Sequence, residues 1–408
     1  MTPTAGEASE TRGELTGDVT PDGIVAFAGV DWWYHNRGHS ECQILRRLAV
    51  DTPVLWVNSM GMRTPRPGRT ELPWRRWARK ARSTLKGLRR DPSGLWVLSP
   101  LYVPRFDSRW VERNGRLVGA QVRLAMRRVG IRRPAVWITL PTAAPAVAAS
   151  WRPLVFNRSD EFSAFPEVDA DLIGGLERHL LGRADHTLYV NHELLERERE
   201  ATADPVFLGH GVDHEHFARG AERPEPPALA RLPRPLVGFY GALDDYTIDL
   251  DCMVAAARAV PQGTLVVIGP QAMEIDRLTA EPNVVYLGPV AYEDLPAYAA
   301  RFDVGIMPWL RNDWIARSNP IKLKEYLACG FPVATTDFPA LAPYRHLCRV
   351  ASGADDFAEA VVAALAERDD EERRRARRDA VRGDEWSVLA ERCRCLLGVP
   401  TSGAEPPG

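Results

Sequence analysis

Short apolar runs punctuate this chain at 24–30, 53–58, 95–99, 135–140, 154–157, 187–191 and 206–208, with material able to form helices between them. That alternation constrains the fold more than any other feature. Strands buried on both faces need helices to cover them and crossovers to keep them parallel. Helices are expected over 40–50, 110–129 and 171–182. The pattern then breaks: residues 219–235 read RGAERPEPPALARLPRP, a proline-rich stretch unsuited to sheet or long helix and expected to link two domains. Beyond it the runs resume at 236–240, 264–268, 284–287, 304–307, 332–335 and 349–351, with helices expected over 250–260 and 294–301.

A chain of 408 residues exceeds what one hydrophobic core usually serves, so the break is read as a domain boundary. The expected fold class is α/β, with two Rossmann-like, doubly wound parallel-sheet domains facing across a cleft, where the carboxyl ends of both sheets can hold a ligand. The expected limits are a disordered tail over 1–20, a first domain over 21–217, the linker over 218–235, a second domain with terminal helices over 236–397, and a disordered tail over 398–408. Within the terminal helices, the run ERDDEERRRARRD is expected to be a solvated helix face.

Hydrophobic content of 45% and charged content of 26% place the chain among ordinary globular proteins, and a net charge of -2 argues neither for nor against nucleic acid. Cys42, Cys252, Cys329, Cys348, Cys393 and Cys395 lack the paired spacing of a disulfide framework or zinc knuckle, which favours a reduced, cytoplasmic setting. Residues 1–20 carry no apolar signal core, and no apolar run approaches the length of a membrane span. Residues 63–90 hold eleven Lys or Arg against one acid, Glu71. Trp74, Trp77, Ala78, Ala81, Leu85 and Leu88 fall there at helical spacing, so a basic amphipathic helix is expected, suited to an anionic bilayer at the inner membrane surface. A solvated lid helix is the alternative. Nucleic-acid binding is disfavoured because no recognised module accompanies the charge.

The most specific phrase is SNPIKLKEYLACGFPVAT at 318–335. Asn319 is expected to cap a short helix, Pro320 to occupy its first turn, and Gly330 with Pro332 to end it and open a strand. Lys322 and Glu325 then share one face, while Leu323, Tyr326 and Leu327 form a separate apolar stripe. A lysine at a helix N-terminus suits phosphates, because the first amides and the dipole add to its charge. A carboxylate one turn later can accept hydrogen bonds from ribose hydroxyls. The phrase resembles the donor-binding segment of GT-B glycosyltransferases, the family-four-like group 1 enzymes, in the branch that reads N-P-x-K-x-x-E. In that resemblance Glu325 holds the nucleotide ribose, and Asn319 contacts the donor or caps the helix.

Two further segments carry the resemblance. Residues 209–217, GHGVDHEHF, look like the family's N-G-V-D-x-x-x-F hinge phrase, with His210 in place of asparagine and Phe217 packing; a metal site among the histidines is the lesser reading. Residues 157–162, NRSDEF, resemble the branch's D-E-x-S-A-F phrase and put Asp160 near the reacting centre. Gly241 closes GFYG, where a ligand can approach backbone, but the following ALDDYTIDLD lacks the arginine and lysine with which many members hold the diphosphate, and Arg317 stands where many have a glutamate. The loop VDWWYHNRGH at 30–39 is expected to face the cleft, with Trp32, Arg37 and His39 on the acceptor side.

The resemblance implies transfer of a sugar from a nucleoside-diphosphate sugar to a glycan, lipid-linked or small-molecule acceptor. It further implies retention of anomeric configuration, with no metal and no cofactor beyond the donor, and Lys322 and Asp160 as the catalytic pair. A nucleotide-sugar epimerase of the same fold and a non-catalytic scaffold are the alternatives. The epimerase would convert donor without acceptor, and the scaffold draws on the missing basic pair and on Arg317.

Overall fold

The computed structural model describes residues 20–34, 38–62, 82–165 and 168–400. In the first half, strands β1 (Gly23–Phe27), β2 (Val54–Val57), β3 (Leu88–Arg90), β4 (Trp96–Leu98), β5 (Pro134–Ile138), β6 (Leu154–Arg158), β7 (His186–Tyr189) and β8 (Pro205–Phe207) form one sheet in the order β3-β4-β2-β1-β5-β6-β7-β8. In the second half, β9 (Leu236–Tyr240), β10 (Thr264–Ile268), β11 (Val284–Gly288), β12 (Val304–Met307), β13 (Val333–Thr336) and β14 (Cys348–Ala351) form another, ordered β11-β10-β9-β12-β13-β14. All ladders are parallel except that between β3 and β4. The two doubly wound domains are therefore those expected from the alternating runs.

Strand alternation divides the first core between the two sheet faces. Val25, Phe27, Leu55 and Val57 pack against Val111, Val118 and Val122 of the Ser108–Val129 helix. Ile24, Ala26, Val54 and Trp56 pack against Ile44 and Leu45 of the Ser40–Leu48 helix. The second sheet is buried along β9 and β10 and is covered in part by the Leu250–Ala259 helix.

The terminal helix Trp386–Leu396 departs from the expected boundary. The sequence places it with the second domain, but Trp386, Leu389, Ala390 and Cys393 lie in the core of the first, beside Trp56 and Ile44. Arg394 fixes the docking through Asp51 at 2.8 Å and Thr52 Oγ1 at 2.9 Å. Val399 is also buried there, so the chain stays folded past the expected start of its tail at 398. The reason is amphipathic: an apolar stripe specifies burial but not which sheet supplies it, and the Ser40–Leu48 helix leaves room beside itself.

Chain thus crosses between domains twice, and the crossings lie side by side. Val212 N donates to the Asp384 carbonyl at 2.8 Å, and Trp386 N donates to the Val212 carbonyl at 3.1 Å. Gly211 permits this approach, since a Cβ there would come within 2.4 Å of the Trp386 ring. The proline-rich stretch is not a free tether. Leu229 is buried in the second core, and Arg301 donates to the Arg223 carbonyl at 2.7 Å.

The expected basic helix is also revised where it can be seen. Residues 63–81 lie outside the described set, Leu85 is 84% exposed, and Leu88 begins strand β3. Leu85 and Leu88 therefore do not share a helical stripe; β3 instead pairs with β4, whose free edge offered backbone partners. The expected tails over 1–19 and 401–408 lie outside the described residues.

Replacing the fully enclosed Trp386 by alanine should cost about 3–5 kcal/mol of stability in urea unfolding. A variant as stable as the parent would show that the terminal helix does not hold the first domain.

Candidate functional site

Relative to its own first strand, the second sheet has the order 3-2-1-4-5-6, which reverses direction between β9 and β12. Ligands of open α/β sheets sit beyond the carboxyl ends of strands at such a reversal. The first sheet reverses between β1 and β5. The loops leaving β1 and β9 hold His39 and Gly241, and both residues line one cavity of about 440 Å³ together with Tyr240, Tyr292, Lys322 and Glu325.

Lys322 and Glu325 stand on the Ile321–Cys329 helix, whose Leu323, Tyr326 and Leu327 are buried as expected. Asn319 does not cap it. Pro320 holds the cap position without a side-chain hydrogen bond, and Asn319 Nδ2 instead donates across the cleft to the Val190 carbonyl at 3.0 Å. The side chain is drawn to a partner in the other domain, leaving the first-turn amides uncapped by side chains. At the other end Arg378 donates to the Cys329 carbonyl at 2.9 Å and Arg377 to the Gly330 carbonyl at 3.4 Å. Cations there satisfy the last carbonyls and oppose the dipole. The ERDDEERRRARRD run is thus only partly a solvated face, because Arg377 is 1% exposed and paired with Glu367.

The Lys322 ammonium is enclosed, 4.2 Å from the centre of the Phe239 ring. Lys322 as a whole is half-buried and lines this cavity. Gly241 makes room for it: the backbone has φ of 142°, and a Cβ there would meet Nζ at 2.2 Å. Burial pulls the Lys322 pKa down to about 8, with Glu325 and Asp244 opposing that fall. Burial likewise pushes Glu325 up to about 7, opposed by Tyr240 and Lys322. The loop after Gly241 supplies acid and no basic clamp, as its sequence ALDDYTIDLD implies. Asp244 is buried and accepts from Thr247 N at 2.8 Å and Thr247 Oγ1 at 2.6 Å.

A second cavity, of about 580 Å³, lies between the domains and includes Asp160, Arg197, Asn319, Trp309 and Trp314 in its lining. Ile321 and Lys322 line both cavities, so the two meet at the lysine. Asp160 follows β6 on a loop held from below. Arg158, 2% exposed, donates to the Asp160 carbonyl at 2.5 Å while paired with Glu177 and with Glu198, the latter at 2.8 Å. Asp160 is exposed at the cleft, yet desolvation by the surrounding walls pushes its pKa up to about 6, opposed by a hydrogen bond with Ser159 and the charge of Arg158.

The acceptor-side trio is not assembled as expected. Trp32 is core, 3% exposed, with Nε1 donating to Asp91 at 2.9 Å and its ring edge-on to Trp56. The residue after a strand end turned inward because Asp91 and Asn58 offered buried partners for its ring and backbone N–H groups. His39 lines the cavity of Glu325 rather than that of Asp160, and Arg37 lies outside the described residues.

The three hinge histidines divide among separate partners: His210 Nδ1 with Ser40 Oγ at 2.5 Å, His214 with the Arg378 carbonyl, and His216 with the Tyr292 carbonyl. No group among the described residues has the makings of a metal site. Phe217 is fully buried, as its hinge phrase implied.

Sequence reasoning missed Glu41. Its carboxylate accepts from Gly29 N at 2.9 Å, Val30 N at 3.2 Å and Thr139 Oγ1 at 2.6 Å, and burial raises its pKa to about 7. It ties the loop after β1 to the end of β5, and an acid in the first turn of a helix was the available signal.

Residues 234–367 match the family of glycosyl transferases group 1. The chain is 26% identical over 289 residues to the putative teichuronic acid biosynthesis glycosyltransferase TuaH of Bacillus subtilis strain 168, an alignment covering 65% of this chain and 72% of that protein. Among solved structures it resembles a UDP-forming α,α-trehalose-phosphate synthase from Burkholderia xenovorans, with a TM-score of 0.63 and 16% identity, covering 92% of this chain and 98% of that one. Sucrose-phosphate synthase from Thermosynechococcus elongatus gives a TM-score of 0.61 at 15% identity, with the same coverage of 92% and 98%. Anabaena HepE in complex with UDP and glucose gives 0.60 at 14% identity, covering 92% and 99%. The fold is GT-B, and the protein is a glycosyltransferase carrying a group 1 domain.

In a full-length sample with isotope-labelled lysine, the Lys322 Cε resonance should titrate near 8, below the ordinary lysine range. Glu325→Gln should lower that midpoint further by removing the nearby negative charge. A normal midpoint in both proteins would refute the enclosed ammonium.

Proposed function

We propose that the protein transfers a sugar from a UDP-sugar to a hydroxyl of a glycan, lipid-linked or small-molecule acceptor, with retention and without a metal. The observation that carries this reading is the single lysine shared by two cavities, one suited to a nucleotide and one open between the domains. Uridine is favoured because similar structures are described with UDP or UDP-2-fluoro glucose. The phrase Asn319-Pro320-Ile321-Lys322-Leu323-Lys324-Glu325 supports the N-P-x-K-x-x-E branch.

In this reading the ribose diol bonds to Glu325, and the diphosphate lies against Lys322 and the first amides of the Ile321–Cys329 helix. The acceptor oxygen attacks the anomeric carbon from the face the diphosphate leaves. The bond from that carbon to the phosphate oxygen breaks, its electron pair stays on the diphosphate, and the acceptor proton passes to that departing oxygen. Asp160 accepts a hydrogen bond from a neighbouring acceptor hydroxyl and so orients the attacking one, whose own proton goes to the diphosphate. Domain closure about the paired crossings at Val212 and Glu385 would exclude water, which otherwise competes as acceptor.

UDP and UDP-sugars should raise the melting temperature of the wild type. Lys322→Ala should lower the rate of UDP release from the donor about 100-fold, the equivalent of about 3 kcal/mol of lost charge stabilisation. Glu325→Ala should weaken UDP binding, and Asp160→Asn should lower kcat while leaving UDP affinity in place. Wild-type behaviour in all three variants would overturn the site, and epimerised donor without acceptor would favour the epimerase.

The peripheral location is part of the same proposal, supported by the eleven Lys or Arg within 63–90. No helix among the described residues is long and apolar enough to cross a membrane. The protein should co-sediment with vesicles containing anionic lipid and be released by salt. Equal recovery with purely zwitterionic vesicles would remove the electrostatic contact.

A further inference from the structure

Tyr240, the last residue of β9, has a hydroxyl with no hydrogen-bond partner, although the residue is 4% exposed. Buried polar groups are almost always bonded, so an orphan in a cavity wall points to a ligand-dependent partner. The neighbouring Tyr326 makes the contrast. Its ring is edge-on to Tyr240 with centres 4.9 Å apart, and its hydroxyl accepts from Tyr240 N at 3.2 Å and donates to the Ile306 carbonyl at 3.3 Å. Packing alone would be met equally by phenylalanine at 240, which would leave no hydroxyl unbonded.

The orphan lies beside the Glu325 carboxyl, near enough to hold down that acid's pKa but without a well-formed hydrogen bond to it, and both residues line the cavity that holds Lys322. A carboxylate has two oxygens and about four acceptor directions, enough for a phenol and both hydroxyls of a vicinal diol. We propose that Tyr240 is a positioning residue for the donor ribose: on nucleotide binding its hydroxyl donates to Glu325 and fixes the carboxylate that receives the diol. Burial, followed by the Glu325 charge, raises the Tyr240 pKa well above its ordinary value, which keeps the proton on the phenol for donation. This inference rests on the assignment of that cavity to the nucleotide.

The test compares full-length wild type with Tyr240→Phe, by calorimetric titration with UDP, 2′-deoxy-UDP and 3′-deoxy-UDP and by melting without ligand. Wild type should prefer UDP over the deoxy compounds, and Tyr240→Phe should bind UDP about tenfold more weakly, with that preference reduced, as expected for loss of a hydrogen bond to a charged group. The free variant should melt at the wild-type temperature or above it, because an unbonded hydroxyl has been removed. Unchanged UDP affinity and preference in the variant would overturn the inference alone. A uniform loss for all three ligands together with a lower melting temperature would also overturn it, marking Tyr240 as a packing residue. Absence of UDP binding by wild type would instead overturn the nucleotide assignment beneath it.

Discussion

An ammonium group enclosed by protein is the constraint around which the cleft is organised. Removing a charge from water is costly, so the group must be balanced or lose its proton. Around Lys322 the balance comes from Glu325 and Asp244 and from the face of Phe239. Each of these depends on fold. Phe239 and Gly241 flank the end of β9 at the reversal in strand order, and the absent side chain of Gly241 leaves the volume that Nζ fills. The helix bearing the lysine is held at its far end by Arg377 and Arg378, so its first turn is fixed without a side-chain cap.

The same helix is coupled to the domain crossings. Lys324, two residues from Lys322 and therefore on a different side of the helix, is 5% exposed. It donates to the His210 carbonyl at 2.5 Å and pairs with Asp384 at 3.2 Å, one residue on each crossing strand. Asn319 reaches Val190, and Arg317 lies 3.5 Å from Glu193. Rotation of one domain against the other would act on both ends of the 317–325 segment. Lys322 lies between those contacts and Glu325 directly follows the second, which ties the geometry of their cavity to the relative placement of the domains.

How far the sequence revealed this depended on the range of the contacts. The alternation of apolar runs and helices is local, and it carried both sheets and the Ile321–Cys329 helix with its two faces. Partners chosen across the fold were not legible. Asn319 looked like a cap because a cap lies within reach of its own chain, whereas its partner Val190 lies in the other domain. The stripe on the Trp386–Leu396 helix called for burial without naming the sheet. Trp32 carried the same aromatic surface whether it faced a sugar or Trp56, and buried acceptors at Asp91 and Asn58 decided it. The Tyr240 hydroxyl was unreadable because its significance is the lack of a partner.

On the proposed nucleotide assignment, the acidic loop after Gly241 changes how the cavity of Lys322 can work. Among the described residues lining that cavity, Lys322 is the lysine or arginine, and it already has Glu325 and Asp244 for company. A site so balanced offers a resting diphosphate little net positive charge, so ground-state affinity must come chiefly from ribose, base and helix amides. The charge that grows on the leaving diphosphate as the sugar bond breaks would still meet the ammonium. Interactions that strengthen only as the reaction proceeds raise kcat, whereas equal binding of ground and transition states lowers KM alone. Replacing a basic clamp by acid near a single enclosed lysine therefore shifts the site toward the first kind of stabilisation.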